Sequence, residues 1–341
     1  VIIDYNQLKY QSGEFIMERK PKILIVGSLV MDQIAITKEV PQEGHRVFGE
    51  EFVKTPGGKG ANQAVQAARL GADVTIIGKV GRDANGKELL QACQQEGVDT
   101  SRMLYDEDGA SGCAVIILEK IPGERTRNRI LVISGSNMKI RPEEIEFLKD
   151  EIGQYDMVML QNEIPLEVNE TAARYAYEQG VPVMLKPAPV IRRLSKDFIS
   201  HLTYIAPNEQ EIRAMTGVII NRKRGVFNFE EAKVASAIMR GKGYANILTT
   251  LGESGALLDA PDKTIYKRAA PGIEVVDPTA GGDSFVAAFC TRVCKGDSRG
   301  QALIFANYTA AITISRMGVM DSLPTTEEVM ELMKANGRSC M

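Results

Sequence analysis

The stretch KILIVGSLVMD, residues 22–32, decides how the rest of the chain is read. A short β-branched run ends at Gly27, and the segments that follow alternate such runs with amphipathic ones: GANQAVQAARLGA (60–72), DVTIIGKVG (73–81) and NGKELLQACQQEG (85–97). That alternation is the mark of strand–helix–strand units on a parallel sheet. Gly71 and Gly97 fall where helix C-termini favour a residue tolerant of left-handed backbone. The same rhythm returns in DMVMLQ (156–161), VPVMLK (181–186), TYIAP (203–207) and ANILTTLG (245–252). The spacing predicts one α/β domain over residues 21–341, a doubly wound, mainly parallel sheet flanked by helices. Residues 1–20 are read as a leader or an expression remnant outside the fold. Two regions break the rhythm, about 31–56 and 109–133, where CAVIILE and NRILVIS read as paired strands around a charged loop. These are expected to form a small β-sheet lid.

Composition narrows the function classes. The 341 residues are 44% hydrophobic and 25% charged, with a net charge of −3 and basic residues scattered along the chain. That is an ordinary globular balance without the basic footprint of a nucleic-acid binder. No apolar run approaches the roughly 20 residues that span a bilayer, and a cytoplasmic protein is expected. The five cysteines (Cys93, Cys113, Cys290, Cys294, Cys340) form no CxxC pair, as in a reducing compartment. Two histidines, His45 and His201, argue against His-based triads and metal centres. The first strand runs into GSLVMD rather than G-x-G-x-x-G, which argues against a dehydrogenase, and no G-x-x-x-x-G-K-[ST] loop is present.

Two glycine-rich stretches remain. GGKGANQA, Gly57 to Ala64, opens a helix, where successive N–H groups favour an anion and Lys59 adds a mobile charge; a tight turn with a solvated lysine is the plain alternative. DPTAGGDSF, residues 277–285, stands where the run IEVV gives way to a helix expected over Ser284 to Lys295. Asp283 would sit in its first turn, where the helix dipole favours a carboxylate. A first-turn acid needs no glycines beside it. A base poised over close-packed amides does, because charge developing on a phosphoryl group needs donors at short range. Ligands of such sheets bind beyond the carboxyl ends of the strands, where Asp32, the glycines after Pro56, Glu163, Asn208 and Gly252 fall.

With GSLVMD, GGKGANQA, GKVGRDANG (78–86), PNEQE (207–211) and DPTAGGDSF in this order, the chain from about Lys22 to its end resembles the ribokinase-like carbohydrate kinase family. The resemblance implies an ATP-dependent transfer to the 5-hydroxyl of ribose, with Mg²⁺ and K⁺, and a homodimer made through the lid. It implies that Asp283 is the base and that the amides of Ala280, Gly281 and Gly282 form the anion hole. Val30, Asp32, Gly58, Lys59, Asn62 and Glu163 match the sugar-contacting positions. Asn208 and Glu211 match an N-x-x-E element linked to Mg²⁺ and phosphate; Thr250, Leu251, Gly252, Glu253, Ser254 and Gly255 match the nucleotide loop, and Asn307 an adenine-side position. Asp277, Thr279, Thr313, Arg316, Gly318 and Ser322 match a monovalent-cation site, mostly through main-chain carbonyls. Two positions depart from the family: Val30 and Lys186 each stand where asparagine is usual. A kinase of 2-deoxyribose or another pentose, and a catalytically silent sugar sensor, are the alternative readings.

Overall fold

The computed structural model describes residues 8–11, 14–17, 19–121, 127–223 and 225–338. Half of the segment 1–20, the tip 122–126 of the second lid segment and Cys340 therefore bear expectations that lie outside the described residues. Strand β1 (Lys22–Val26) lies inside an eight-stranded sheet. It is followed along the chain by β2 (Val30–Thr37), β3 (Glu51–Gly57), α1 (Lys59–Arg69), β4 (Asp73–Ile77) and α2 (Ala84–Gln95). Strands β5 (Gly112–Glu119) and β6 (Arg127–Ile133) follow, then β7 (Met157–Gln161), α3 (Leu166–Glu178), β8 (Val183–Lys186), β9 (Tyr204–Ile205) and α4 (Glu209–Thr216). The last third holds α5 (Phe229–Gly241), β10 (Asn246–Thr250), β11 (Ala256–Asp259), β12 (Thr264–Lys267), α6 (Gly281–Cys294) and α7 (Arg299–Ile314).

The large sheet has the order β12-β11-β10-β9-β8-β7-β1-β4. Pairings from β10 to β4 are parallel, and β11 and β12 close one edge as an antiparallel meander. Successive side chains of a strand point to opposite faces. Ile23 and Ile25 accordingly enter one core, against α1, α6 and α7, while Leu24 and Val26 enter the other, against α3 and α5. Burial on both faces is why β1 carries four apolar residues in a row.

Both predicted lid segments join one four-stranded sheet of order β6-β5-β2-β3. Its β2–β5 pairing is parallel and its two outer pairings antiparallel. Residues of β6 are exposed along its whole length, Ile130, Leu131, Val132 and Ile133 included. The turn from β1 into β2 and the step from β3 into α1 both connect the two sheets, so Val30, at the start of β2, stands where the lid meets the domain.

The helix expected over Ser284 to Lys295 begins earlier, at Gly281, and ends at Cys294 with Lys295 as its C-cap. Gly281 and Gly282 are thus its first turn rather than the approach to it. Gly281 is required by packing, because a Cβ there would stand 2.6 Å from Ile314 Cγ2 on α7.

Candidate active site

Ala280 precedes α6 in the left-handed region, at φ 59° and ψ −6°, the single non-glycine residue there among those described. An alanine in that conformation carries local strain. Among the described residues Gly281 N, expected in the anion hole, donates to Pro278 O at 3.4 Å, whereas the N–H groups of Gly282 and Asp283 have no acceptor. They face a cavity of about 1300 Å³ at the carboxyl ends of the strands.

Asp283 is almost completely buried, and its carboxylate is held from α1. Gln63 Nε2 donates to Oδ1 at 3.0 Å and Asn62 Nδ2 donates to Oδ2 at 3.3 Å. Gln63 Oε1 in turn accepts from Gln161 Nε2 at 2.8 Å, at the end of β7. Gln63 and Gln161 were not singled out from sequence. The available signal was a buried amide between alanines on a core helix, but its partners lie 220 and 98 residues away. Asn62 Oδ1 is buried with no partner among the described residues.

The GGKG amides behave differently from the free anion cradle expected of them. Lys59 N donates to Glu163 Oε2 at 3.1 Å and Ala61 N to Ser28 O at 3.0 Å. The anion at this helix start is the protein's own Glu163, whose Oε2 also accepts from Ser28 Oγ. Gly58 lies at φ 93°, and a Cβ there would meet Val30 N at 2.6 Å; a Cβ on Gly60 would meet Ser28 N at the same distance. These glycines bring α1 against the β1–β2 turn, and that approach carries Asn62 and Gln63 to Asp283.

Asp32 and Val30, two residues apart on β2, share a strand face. Asp32 Oδ2 lies 2.9 Å from where a Cβ on Gly57 would be. Burial, then the charge of Glu163, pushes Asp32 from 3.8 to about 6 against the pull of Lys59, with Asp277 adding to the rise. The charge of Asp283 is the main cause that holds the Lys59 ammonium above its usual range. Asp32, Lys59, Glu163 and Asp283 thus lie within electrostatic reach of one another, and of these Lys59 and Asp283 line the cavity.

Elsewhere on the cavity wall, Asn208 caps α4 by accepting from Glu211 N, and Glu211 accepts from Asn208 N at 2.8 Å and Nδ2 at 3.0 Å. Glu211 Oε2 also accepts from Lys186 Nζ at 2.5 Å. Thr250, Gly252, Glu253, Ser254 and Gly255 line the cavity, and so does Asn307, whose amide donates to Lys267 O and Arg268 O. The Leu251 side chain is in the core instead, so that residue can serve the loop through its backbone alone. Behind Ala280, Asp277 accepts from Thr279 N at 3.0 Å and Gly318 N at 3.3 Å, tying that turn to the segment after α7. Arg316 is paired with Glu328, Ser322 Oγ donates to Val319 O, and Thr313 Oγ1 donates to Thr309 O.

A helix start with outward amides, a buried carboxylate beside them and a long cavity leading in define a phosphotransferase of the open α/β class. The pfkB family carbohydrate kinase model matches residues 20–326, and the chain belongs to that family of ATP-dependent sugar kinases. It is 35% identical over 311 residues to the ribokinase of Bacillus subtilis, covering 91% of this chain and 99% of that one. It is 29% identical over 314 residues to a deoxyribokinase of Salmonella typhi, covering 92% and 99%. Among solved structures, Arabidopsis thaliana ribokinase complexed with ribose and ATP aligns with a TM-score of 0.84 at 29% identity, over 93% of this chain and 99% of that one. Among the described residues no helix is long and apolar enough to cross a membrane.

Proposed function

We propose that the chain phosphorylates D-ribose at the 5-hydroxyl with ATP. One observation carries this reading: the Asp283 carboxylate, fixed by Asn62 and Gln63, lies one residue from the unpaired amide of Gly282 at the inner end of the cavity. Asp283 takes the hydroxyl proton as the sugar oxygen forms its bond to the γ-phosphorus. The bond from that phosphorus to the bridging oxygen breaks, and ADP leaves with the electron pair. The α6 amides stabilise the charge that develops on the phosphoryl oxygens. Asp32, Lys59, Asn62 and Glu163 bind the sugar, a polar set suited to several hydroxyls. A silent sensor would need neither the base nor the strained amide turn. A panel of pentoses with ATP and an ADP-release assay tests the reading: ribose should turn over, and silence with every pentose would overturn it.

Glu211 has its carboxylate occupied by three donors, so Mg²⁺ fits here as a companion of the nucleotide's phosphates rather than as a ligand of Glu211. It would neutralise charge between phosphates. A monovalent cation fits the Asp277 loop, where one carboxylate and the carbonyl end of α7 supply oxygen donors and the helix dipole favours positive charge. K⁺, large and easily dehydrated, suits carbonyl donors best, and a filled site would stiffen the turn that aims the amides. K⁺ should therefore raise turnover well above Na⁺ or Li⁺, and equal rates in the three salts would remove the site. The exposed apolar strand β6 supports a homodimer through the lid.

Val30 favours a second substrate. It shares the face of β2 that carries Asp32, and its apolar side chain is buried there; if the sugar lies against that face it meets an apolar wall. A wall without an amide loses no hydrogen bond when the 2-hydroxyl is missing, whereas a pocket built around such a bond rejects the deoxy sugar by up to ~10⁴. The expected kcat/KM for 2-deoxyribose is within about 10²-fold of that for ribose, and Val30→Asn should shift preference toward ribose. Strong rejection of 2-deoxyribose by the unaltered enzyme would show that another group holds that hydroxyl.

A further inference from the structure

Lys186 ends β8 with its side chain in the floor of the nucleotide cavity, 6% exposed. Among the described residues its ammonium has two acceptors, Glu211 Oε2 at 2.5 Å and Ala206 O at 3.3 Å. An ammonium carries three protons, so one donor remains. Its Cε stands 3.6 Å from where a Cβ on Gly282 would be, which sets the ammonium alongside the turn whose amides face the cavity.

The α4 cap does not need this lysine. Glu211 is already satisfied by the backbone and amide N–H groups of Asn208, which complete the α4 cap without it. Taking an ammonium out of water is costly, and a buried ion pair seldom recovers that cost from its partner alone. Burial does hold Lys186 below its usual range, while the charges of Glu211 and Asp283 work the other way. A polyanion entering the cavity would offset the same penalty.

We propose that Lys186 is a catalytic residue of the transfer: paired with Glu211 in the free enzyme, its ammonium stays protonated and donates its remaining N–H as a hydrogen bond to an oxygen of the transferring phosphoryl group, opposite the Gly282 amide. The proposal rests on the kinase reading above and adds a cation of this chain's own to the charge clamp on the phosphoryl group. A point charge on a flexible stem can follow the phosphoryl group as it moves from nucleotide to sugar.

The test compares the unaltered enzyme with Lys186→Met and Lys186→Arg, by turnover and by calorimetric binding of ADP, a non-hydrolysable ATP analogue, and ADP with tetrafluoroaluminate plus sugar. Lys186→Met should lower kcat by about 10²–10³-fold, the scale of losing one donor to a transition-state anion, with ADP affinity within about threefold. Its preference for the fluoroaluminate complex over ADP should collapse, and Lys186→Arg should recover part of both. Should Lys186→Met not fold, Lys186→Met with Glu211→Gln leaves neither charge unpaired and carries the same comparison. Unchanged turnover, or equal weakening of ADP and the fluoroaluminate complex together with a lower melting temperature, would reduce Lys186 to a structural partner of Glu211. Unaltered enzyme that binds no nucleotide would overturn the kinase reading itself, a result distinct from either.

Discussion

Asp283→Asn is expected to lower kcat by about 10²–10⁴-fold, the range for removing a general base, while the protein stays folded. The amide retains an oxygen for Gln63 Nε2, which now donates at 3.0 Å. Its NH₂ group would face Asn62 Nδ2, but Asn62 Oδ1 has no other partner, so a flip of that side chain turns the clash into a hydrogen bond. Stability should change by no more than about 1 kcal/mol. Nucleotide affinity should hold, because the α6 amides are untouched. Near-normal turnover would remove Asp283 from the role of base, and unfolding would show that its charge is structural.

Asp32→Asn should raise stability at pH 7 and weaken sugar binding. Folding raises the Asp32 carboxyl from 3.8 to about 6, so the folded chain binds this proton more readily than the unfolded chain does. The sign follows: stability from this group grows as pH falls through about 6, and above that the ionised carboxylate costs the fold about 3 kcal/mol. An asparagine does not ionise. At pH 7 the variant should melt higher by roughly 2–6 °C for a domain of this size, and the gap should close by about pH 4. A lower melting temperature at pH 7 would show that Asp32 is held by favourable partners. Ribose KM should rise by about 10²-fold, since a carboxylate acceptor of sugar hydroxyls is lost and an amide accepts less strongly. In the unaltered enzyme the same group predicts weaker ribose binding below pH 6. The chain keeps a destabilising acid on β2, as expected of a binding residue.

The mainly parallel sheet was legible because the pattern that encodes it is local: KILIVG reads as a strand, and GANQAVQAARLGA as the helix after it, wherever they lie. The lid was legible for the converse reason, as the places where the strand–helix rhythm stops. The candidate base could be picked out because two glycines beside a carboxylate make little sense in an ordinary helix start. What did not show was pairing over distance. GGKG looks like an anion cradle until Glu163, 104 residues from Lys59, arrives to fill it. Gln63 looks like one more polar residue until Asp283 and Gln161 converge on it. The start of α6 at Gly281 was hidden for a subtler reason. Glycines argue locally against helix, and the packing of α7 against that turn overrides them.

Phosphorus NMR of the product formed from ribose and ATP tests most directly whether Asp283 activates the terminal hydroxyl. Transfer to the 5-hydroxyl places the new phosphate next to a methylene, so its signal should appear as a triplet from two equivalent couplings and be absent over the same time with Asp283→Asn. A doublet would place the phosphate on a ring carbon, and an undiminished triplet from the variant would leave the transfer without its base.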